Sequence, residues 1–393
     1  MIKQAVILAG GQGTRLHPLT LTVPKALIPI NGKPFVHYLV ERLQENDIKE
    51  IIFLTGYLGE QIENYFEDGK QFGLQIKYSF SPIVYDTGAR IRDAQKLLDN
   101  KFLLLYCDNY WPLNIKQLTK FHNGVGTQAL VTVYKNKDNY TRNNMKVNEE
   151  GLVEKYDKTY LEEGLNGVDI GFFILNKSVL KDLPQKNFSF EKEIIPKLIK
   201  QKQLAGYVTY HKYYGLSNLD RIPVIEKYLK NKKVIFLDRD GVINKRPPKA
   251  EYVKNWDEFR ILPHTLDALK LLTDKGYEIY LVSNQAGIAR GKMSEKDLKE
   301  IHKKFLEICK KNKIKINDIY YCPHGWDEGC FCRKPQPGMF FKAAQEHHLD
   351  LTKTIYIGDD IRDKMAGNAA GCTTIIIKSN GNLLTVVNKL LKE

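Results

Sequence analysis

Short apolar runs alternate with amphipathic stretches along the chain. Runs bounded by glycine, proline or aspartate predict β-strands, and apolar residues at helical spacing predict helices. In the first half the predicted strands are 4–8, 50–54, 75–80, 102–107, 128–134, 168–175 and 206–210, and the predicted helices are 35–45, 60–66, 90–98 and 191–200. This alternation is typical of α/β domains with mostly parallel sheets.

The pattern restarts after a charged helix predicted over residues 226–233. The run Val-Ile-Phe-Leu from Val234 predicts a new first strand, and further strands are predicted at 277–282, 319–321, 354–357 and 373–377. A chain of 393 residues also exceeds what one hydrophobic core usually supports. We therefore expect two α/β domains, residues 1–230 and residues 231–393, joined by a short connection.

Composition and charge narrow the classes of function. Hydrophobic residues make up 43% of the chain and charged residues 27%, as in ordinary soluble proteins. No window approaches the roughly 20 apolar residues of a membrane span, and the first residues do not resemble a signal peptide, so we expect a cytoplasmic protein without a membrane partner. The net charge of +14 is dispersed over helical stretches such as 295–315. This dispersion favours solvated faces and phosphorylated small molecules over a nucleic-acid partner.

A glycine-rich turn follows the first predicted strand. Gly10, Gly11 and Gly13 allow the backbone to turn sharply and to bring its N–H groups close to phosphate oxygens. Arg15 and Lys25 follow as cations suited to a triphosphate. The turn is neither a Walker loop nor a dinucleotide fingerprint, because Gly-Lys-Ser/Thr and G-x-G-x-x-G are both missing.

The whole stretch "ILAGGQGTRLHPLTLTVPKALIPINGKP" resembles the signature of sugar-1-phosphate nucleotidyltransferases, and the likeness extends across residues 1–225. The resemblance implies a Rossmann-like mixed sheet and transfer of a nucleotidyl group, from GTP as we expect, to a sugar 1-phosphate. It also implies Mg²⁺ at Asp108 and the sugar phosphate at Lys155. The remaining nucleotide- and phosphate-binding residues that it implies are Gly10, Gly11, Gly13, Thr14, Arg15 and Lys25.

The sequence departs from this family at the second metal carboxylate. The matching segment, Tyr213 to Arg221, has Gly215 where the family carries aspartate. Two interpretations stay open. Either Asp169 or Asp220 is recruited to an altered site, or the domain binds its ligands without catalysing their reaction.

In the second half, two acids stand two residues apart directly after the new first strand. Asp238 and Asp240 would emerge at the carboxyl end of the sheet, where open α/β folds bind ligands. A carboxylate can attack phosphorus when a divalent cation and a lysine neutralise the phosphate, and a second acid can exchange protons with the leaving group and with water. Further segments supply Ser283, Lys334, Asp359, Asp360 and Asp363.

This constellation resembles the haloacid dehalogenase-type phosphatases, with a parallel sheet and no large cap. Within them, "DRDGVIN", "SNQAGIARG" and "CRKPQPGM" are most similar to D-glycero-D-manno-heptose-1,7-bisphosphate 7-phosphatases. The resemblance implies that Asp238 is the nucleophile, Asp240 the general acid/base, and Ser283 and Lys334 the phosphoryl-binding pair. It further implies Mg²⁺ on Asp238, Asp240 (through its backbone carbonyl) and Asp359, and substrate contacts from Asn284, Arg290 and Arg333. Histidinol phosphate or another sugar phosphate stays open as the substrate.

A cluster of soft ligands precedes Arg333. The spacing Cys-x-His-x5-Cys-x-Cys suits a tetrahedral Zn²⁺ with no open position, whereas a disulfide is disfavoured in reducing cytosol. The loop resembles the zinc loop of heptose and histidinol phosphatases, which implies a structural zinc. The ligands would be Cys322, His324, Cys330 and Cys332, and we assign Cys107, Cys309 and Cys372 to packing.

Each half thus points to a sugar phosphate. We expect a bifunctional enzyme that removes the 7-phosphate of a heptose 1,7-bisphosphate and then transfers a nucleotidyl group to the heptose 1-phosphate. The oligomeric state cannot be read from the pattern.

Overall fold

The computed structural model describes residues 2–392 and divides into two compact units, Met1–Leu229 and Lys230–Glu393. The first unit has strands β1 (Gln4–Ala9), β2 (Pro29–Ile30), β3 (Lys33–Pro34), β4 (Glu50–Thr55), β5 (Gln75–Phe80), β6 (Lys101–Tyr106), β7 (Asn109–Tyr110), β8 (Ala129–Tyr134), β9 (Met145–Val147), β10 (Val153–Tyr156), β11 (Val168–Asn176), β12 (Leu204–Thr209) and β13 (Tyr214–Gly215). Its α-helices are α1 (Phe35–Glu45), α2 (Gly59–Phe66), α3 (Thr87–Asp93), α4 (Ile115–Val125), α5 (Ile195–Lys200) and α6 (Ile222–Leu229).

The central sheet of the first unit has seven strands in the order β12-β8-β11-β6-β1-β4-β5. β11 runs antiparallel to both of its neighbours, and the other pairs are parallel, so the sheet is mixed. Every residue of β1 is buried, because apolar clusters cover both faces of the sheet. The expected mixed α/β sheet is confirmed, and it places the residues after β1 and β6 at one edge.

The second unit has strands β14 (Lys233–Asp238), β15 (Tyr277–Asn284), β16 (Ile316–Cys322), β17 (Ile355–Gly358) and β18 (Thr373–Ile376). Its α-helices are α7 (Thr265–Asp274), α8 (Glu295–Lys311), α9 (Gly338–His347), α10 (Ile361–Ala370) and α11 (Leu383–Leu390). The strands form one parallel sheet in the order β16-β15-β14-β17-β18. This confirms the predicted parallel sheet, and β14, which carries Asp238, lies at its centre.

Two predicted helices have different bounds in the structure. The helix expected at 90–98 is α3, which begins at Thr87 and ends at Asp93, and a 3-10 turn over Gln95–Leu97 continues its apolar spacing. The helix expected at 226–233 ends at Leu229, and Lys233 is already the first residue of β14. Periodicity alone could not locate either end, because the spacing of apolar residues runs on across the boundary.

The short strand pairs were not predicted. β2 pairs with β3, β7 with β13 and β9 with β10, and the first two of these pairs are two residues long in each strand. A pair of this length has no measurable hydrophobic period.

Among the described residues, no helix combines the length and apolar character that crossing a membrane requires.

Candidate active sites

In the first unit, the glycine-rich turn after β1 forms one wall of a cavity of 330 Å³. Gly13 adopts φ 64°, a left-handed conformation that favours glycine, and a Cβ on Gly10 would lie 2.4 Å from the guanidinium of Arg90. The structure therefore needs both glycines as they are. The predicted residues that line this cavity are Gly10, Gly11, Gly13, Thr14, Arg15, Lys25 and Asp108.

Arg90 is a buried residue that supports the glycine-rich turn through its guanidinium, and it was not among the residues predicted from the sequence. It is 4% exposed, and its guanidinium donates hydrogen bonds to the carbonyl oxygens of Thr55 (2.6 Å) and Gly10 (3.2 Å). It also donates to the carbonyls of Tyr85 and Pro82 in the next loop. One side chain thus ties two walls of the cavity together. An arginine directly after Thr-Gly-Ala, at the start of a helix, was the available signal.

Lys25 and Asp108 meet inside this cavity. The Nζ of Lys25 lies 2.5 Å from Oδ2 of Asp108, and both side chains are more than two-thirds buried.

Lys155, which was predicted to bind the sugar phosphate, is not part of the lining of this cavity. It lies on β10, exposed to solvent, and its Nζ is 2.6 Å from Glu162 rather than at the cavity wall.

Ser217, not Gly215, faces this cavity from the late segment. Gly215 pairs with Asn109 between β13 and β7, and a Cβ on Gly215 would lie 2.8 Å from Oδ1 of Asn109. The backbone N–H of Leu216 donates to the carbonyl of Asp108, and Ser217 follows in the cavity lining. This segment therefore contributes the residue Ser217, and no carboxylate, to the lining of the cavity that contains Asp108.

The acids proposed to replace the missing carboxylate lie outside the lining of this cavity. Asp169 accepts hydrogen bonds from the Tyr156 hydroxyl (3.2 Å) and the Gly171 N–H (2.8 Å), and Asp220 is exposed. The lining instead offers Asp86 and Asp108. One or two carboxylates beside a triphosphate are the donor set that Mg²⁺ commonly uses, so these residues fit the ion.

Asp169 provides a test of the electrostatics in this unit. Burial raises its pKa to about 6, above the ordinary 3.8. The folded state therefore holds a proton that the unfolded state has released, and stability falls as the pH rises from 3.8 to about 6. Asp169→Asn keeps an oxygen that accepts from the Gly171 N–H, and the new amide N–H can donate to the Tyr156 hydroxyl oxygen, with the direction of that bond reversed. We expect it to stabilise the first unit by about 1–2 kcal/mol near pH 8 and to have little effect near pH 4.

Thermal unfolding at these two pH values measures this effect, with the exposed Asp220→Asn as the matched control. Asp220→Asn is expected to leave the pH dependence unchanged. An equal shift of the melting temperature by Asp169→Asn at both pH values would contradict the assignment.

In the second unit, the parallel sheet gathers the predicted residues at one edge. Asp238 ends β14, Ser283 lies near the end of β15, and Asp359 directly follows β17. Together they line a cavity of 920 Å³, which Asp240 and Lys334 also line. The carboxyl ends of parallel strands meet at one edge, and this brings residues distant in sequence together.

Lys334 stands at the centre of this cavity floor. Its Nζ lies 2.6 Å from Oδ1 of Asp238 and 2.7 Å from Oδ1 of Asp363, and it donates to the Tyr356 hydroxyl at 3.0 Å. Asn284 holds the backbone of Lys334 from both sides, through its Nδ2 to the carbonyl (2.9 Å) and its Oδ1 to the N–H (3.0 Å). The Asn284 amide thus orients Lys334, and Asn284 also lines the cavity, where a contact with substrate stays a prediction.

Burial and neighbouring charges set the ionisation of Asp238. Desolvation, with Asp363 and Asp240 adding to it against the opposing effect of Lys334, raises the pKa of Asp238 to about 7. Burial disfavours the charged form of a carboxylate, and nearby carboxylates act in the same direction. A cation bound beside Asp238 would favour the ionised, nucleophilic form.

The pKa of Asp240 shifts in the opposite direction from that of Asp238, so Asp240 favours its ionised form. Burial acts to raise its pKa, but Arg239 and hydrogen bonds from Asn244 (2.9 Å) and Gln285 (2.8 Å) outweigh burial and keep the pKa below its ordinary value. Arg239 is 1% exposed and also reaches Nε2 of His302 at 3.4 Å. Arg239, Asn244 and Gln285 were not among the residues predicted from the sequence. Arg239 lies between the predicted Asp238 and Asp240, and Gln285 directly follows the predicted Asn284.

A group of carboxylates beside Lys334 offers a metal site. Ligand atoms of Asp238, Asp359 and Asp363 lie within 4.8 Å of one another. Gly241 has φ 104°, and a Cβ there would lie 2.0 Å from Oδ2 of Asp359, so the backbone closes tightly on this carboxylate. Hard oxygen donors at this spacing fit Mg²⁺. Asp363 also accepts the backbone N–H of Asp359 at 3.0 Å and thereby supports the site.

Cations surround the opening of the same cavity. Arg290 and Arg333 line it, and the guanidinium of Arg333 donates to the carbonyl oxygen of His324 at 3.3 Å. Arg246 also lines this cavity and forms ion pairs with Asp359 (3.0 Å) and Asp360 (2.8 Å). The opening therefore suits an anionic substrate.

The soft ligands form a compact cluster after β16. The Sγ atoms of Cys322, Cys330 and Cys332 lie 3.3–3.5 Å from one another, and Nδ1 of His324 lies 3.2 Å from Sγ of Cys332. Ligands around a tetrahedral zinc would be about 3.8 Å apart, so a small expansion accommodates the ion. The cluster fits Zn²⁺ in its donor chemistry, and Lys334 follows it by two residues.

Cys107, Cys309 and Cys372 are buried free thiols.

Two family models match successive parts of the chain. Residues 4–219 match the family model of nucleotidyl transferases, and residues 233–375 match that of polynucleotide kinase 3 phosphatase. The HddC protein from Yersinia pseudotuberculosis, solved in complex with GMP-PN, has a TM-score of 0.51 and 23% identity and covers 58% of this chain and 100% of its own. This likeness concerns the fold.

Relatives at higher identity match the phosphatase half. The chain is 34% identical over 156 residues to D-glycero-beta-D-manno-heptose-1,7-bisphosphate 7-phosphatase of Pseudomonas aeruginosa, covering 40% of this chain and 86% of that protein. It is 38% identical over 157 residues to the D-glycero-alpha-D-manno-heptose-1,7-bisphosphate 7-phosphatase of Photorhabdus laumondii, covering 38% and 84%. The chain therefore belongs to the nucleotidyl transferase family, and it continues into a haloacid dehalogenase-like phosphatase domain related to the heptose-1,7-bisphosphate 7-phosphatases.

Proposed function

We propose that the second unit hydrolyses D-glycero-D-manno-heptose 1,7-bisphosphate to the 1-phosphate, and that the first unit transfers a nucleotidyl group, from GTP, to that product. The observation that carries the proposal is the placement of Lys334 between Asp238 and Asp363 on the floor of a cation-rimmed cavity. The names of the curated relatives support the bisphosphate as substrate.

The residues of the cavity floor take distinct roles in this proposal. Asp240, whose pKa lies below its ordinary value in the free protein, takes up a proton from the phosphate monoester as the substrate binds. An Oδ of Asp238 then attacks the phosphorus, and the bond between phosphorus and the C7 oxygen breaks while Asp240 donates this proton to that oxygen. Asp240 then takes a proton from water, which attacks the aspartyl phosphate and releases inorganic phosphate. Ser283 and Lys334 hold the phosphoryl oxygens throughout.

A magnesium ion would be held by Asp238, Asp359 and the backbone carbonyl of Asp240. The ion would neutralise phosphate charge during the attack. In the first unit, Asp108 would hold the Mg²⁺ of the nucleotide, and Arg15 and Lys25 would bind the triphosphate beside the glycine-rich turn. Pyrophosphate leaves when the sugar phosphate oxygen attacks the α-phosphorus.

One incubation tests the two steps together. The full chain is mixed with the heptose 1,7-bisphosphate of either anomer, Mg²⁺ and each nucleoside triphosphate in turn, and products are identified by mass. The proposal expects inorganic phosphate from C7, then pyrophosphate and a nucleotide heptose with GTP. A clear kcat/KM preference for histidinol phosphate would refute the phosphatase assignment, and a preference for another triphosphate would refute GTP.

A second candidate function concerns the first unit. The late segment contributes Ser217 and no carboxylate to the cavity lining, which favours a unit that binds nucleotide or sugar phosphate without catalysing transfer. Pyrophosphate release across all triphosphates and a panel of sugar 1-phosphates distinguishes the two. Ligand binding without pyrophosphate from any pair would establish the binding module.

We propose further that Cys322, His324, Cys330 and Cys332 hold a structural Zn²⁺ that orients Lys334. Cys330→Ser is expected to reduce the zinc content well below one ion per chain and to lower phosphatase kcat/KM about tenfold, because second-shell support of an active site is typically worth ten- to a hundredfold. Metal analysis and phosphate release measure the two effects.

The matched control for this zinc prediction is Asp327→Asn, which alters the same loop without removing a ligand. It is expected to retain both zinc and activity. Full activity after complete loss of zinc would show that the cluster does not support Lys334.

A further inference from the structure

A tryptophan stands in the wall of the phosphatase cavity. Trp326 is 72% exposed, yet it lines the same 920 Å³ cavity as Asp238 and Lys334. The other two tryptophans are packed: Trp111 is 2% exposed, and Trp256 stacks on Phe259 with ring centroids 5.3 Å apart. Within residues 2–392, Trp326 makes no such ring contact.

The loop that carries Trp326 is held at both ends. His324 and Cys330 belong to the compact ligand cluster, and the N–H of Gly325 donates to a carboxylate oxygen of Glu328 at 2.5 Å. The backbone of Trp326 is therefore positioned before any ligand arrives. Because the loop backbone is already ordered, binding has to fix only the two side-chain torsions of the indole, which costs little conformational entropy for a large contact area.

The charges around the cavity opening fall into two groups. Arg246 and Arg362 are neutralised by Asp360, at 2.8 Å and 2.9 Å. Lys249 and Arg290 also line the cavity, and within the described part of the chain neither forms an ion pair. In the function proposed above, the departing phosphate lies beside Asp238 and Lys334, so the part of the lining with Trp326 is left for the rest of the substrate.

A ring sugar has a chemistry that matches this wall. Its hydroxyl and phosphate groups project from the rim of the ring, while its C–H groups form an apolar face. Aromatic side chains with a flat, exposed surface gain energy by covering such a face. An acyclic phosphate ester has no comparable face.

We propose that Trp326 is a specificity-determining residue, which packs its indole against the C–H face of a ring sugar whose departing phosphate lies at Asp238. This proposal rests on the phosphatase function proposed above. It goes further in assigning a preference for cyclic over acyclic phosphomonoesters to one side chain on the cysteine-rich loop.

Steady-state kinetics of the zinc- and magnesium-loaded full chain test the assignment. Trp326→Ala is expected to raise KM for the heptose bisphosphate about tenfold with kcat within about twofold, as loss of one aromatic contact predicts. Its kinetics with acetyl phosphate are expected to stay unchanged, and Trp326→Phe is expected to retain most of the affinity. An unchanged KM, or an equal loss with both substrates, would overturn the proposal.

Tryptophan fluorescence provides a second readout without turnover. In the Asp238→Asn background, the heptose bisphosphate is expected to change the emission, and Trp326→Phe is expected to remove that change. Trp256→Phe, which alters a tryptophan outside the cavity lining, is the matched control and is expected to preserve it. Emission changes that survive Trp326→Phe would overturn the proposal.

Failure of the proposed substrate is distinguishable from failure of this inference. Wild-type enzyme that hydrolyses acetyl phosphate but not the heptose bisphosphate would refute the substrate. The same fluorescence titration with mannose 6-phosphate and glucose 6-phosphate then decides the role of Trp326. A Trp326-dependent change with either supports the preference for rings, and no change with both refutes it.

Discussion

Asp238→Asn is expected to abolish phosphate release from the heptose bisphosphate, lowering kcat at least about a thousandfold. The amide has nearly the same shape as the carboxylate but cannot attack phosphorus to form an acyl phosphate. The substitution removes one partner of Lys334, yet Asp363 still lies 2.7 Å from its Nζ, so the lysine keeps a buried counter-charge. Colorimetric phosphate release measures the loss.

The exposed Asp257→Asn is the matched control for this substitution and is expected to behave as wild type. Zinc content, nucleotide affinity of the first unit and melting temperature are expected to be preserved in Asp238→Asn. Hydrolysis within about tenfold of wild type would contradict the role of Asp238 as nucleophile.

Asp108→Asn is expected to lower pyrophosphate release at least about a hundredfold, because it removes both the carboxylate proposed to bind magnesium and the counter-charge of Lys25. Lys25 lies 2.5 Å from this carboxylate in a largely buried setting, so its ammonium group depends on Asp108 for position. A coupled pyrophosphate assay measures the loss, and phosphatase activity in the same preparation is expected to be unchanged.

The exposed Asp99→Asn serves as the control on the same unit and is expected to retain transferase activity. A transferase that is indifferent to Asp108→Asn would show that the metal is held elsewhere, and Asp86, which also lines the cavity, would then be the carboxylate to replace.

Local sequence signals predicted much of both sites. Asp238 and Ser283 each follow an apolar run that forms a strand of the parallel sheet, and the structure brings both into one cavity with Lys334. The glycine-rich turn, Lys25 and Asp108 are likewise gathered into one cavity. Asp108, Asp238 and Ser283 were recognisable because each lies at or next to a strand end, which the local hydrophobic pattern predicts. Lys25 and Lys334 lie away from strand ends and were recognisable from the motifs that contain them.

Residues that act by supporting others were not recognisable from the sequence. Arg90 and Arg239 are charged side chains that the sequence pattern would place at the surface, yet they are 4% and 1% exposed and bind cavity walls or catalytic candidates. Asn284 was among the predicted residues, but its two hydrogen bonds to the backbone of Lys334 were not predicted. Their roles depend on which loops meet in space, and no local periodicity contains that information.

The sequence by itself determined two α/β units, the mixed and the parallel sheets, and the family relationships of each half. It did so because strand and helix periods and contiguous motifs are local properties of the chain. Tertiary structure alone decided that Ser217 lines the cavity with Asp108 while Gly215 does not, because Gly215 is paired with Asn109 between β13 and β7 and the chain reaches the cavity only after that pair. It also decided that Trp326 is exposed in the lining of the cavity that contains Lys334, because the arrangement of the loop's cysteines in space positions the segment between them.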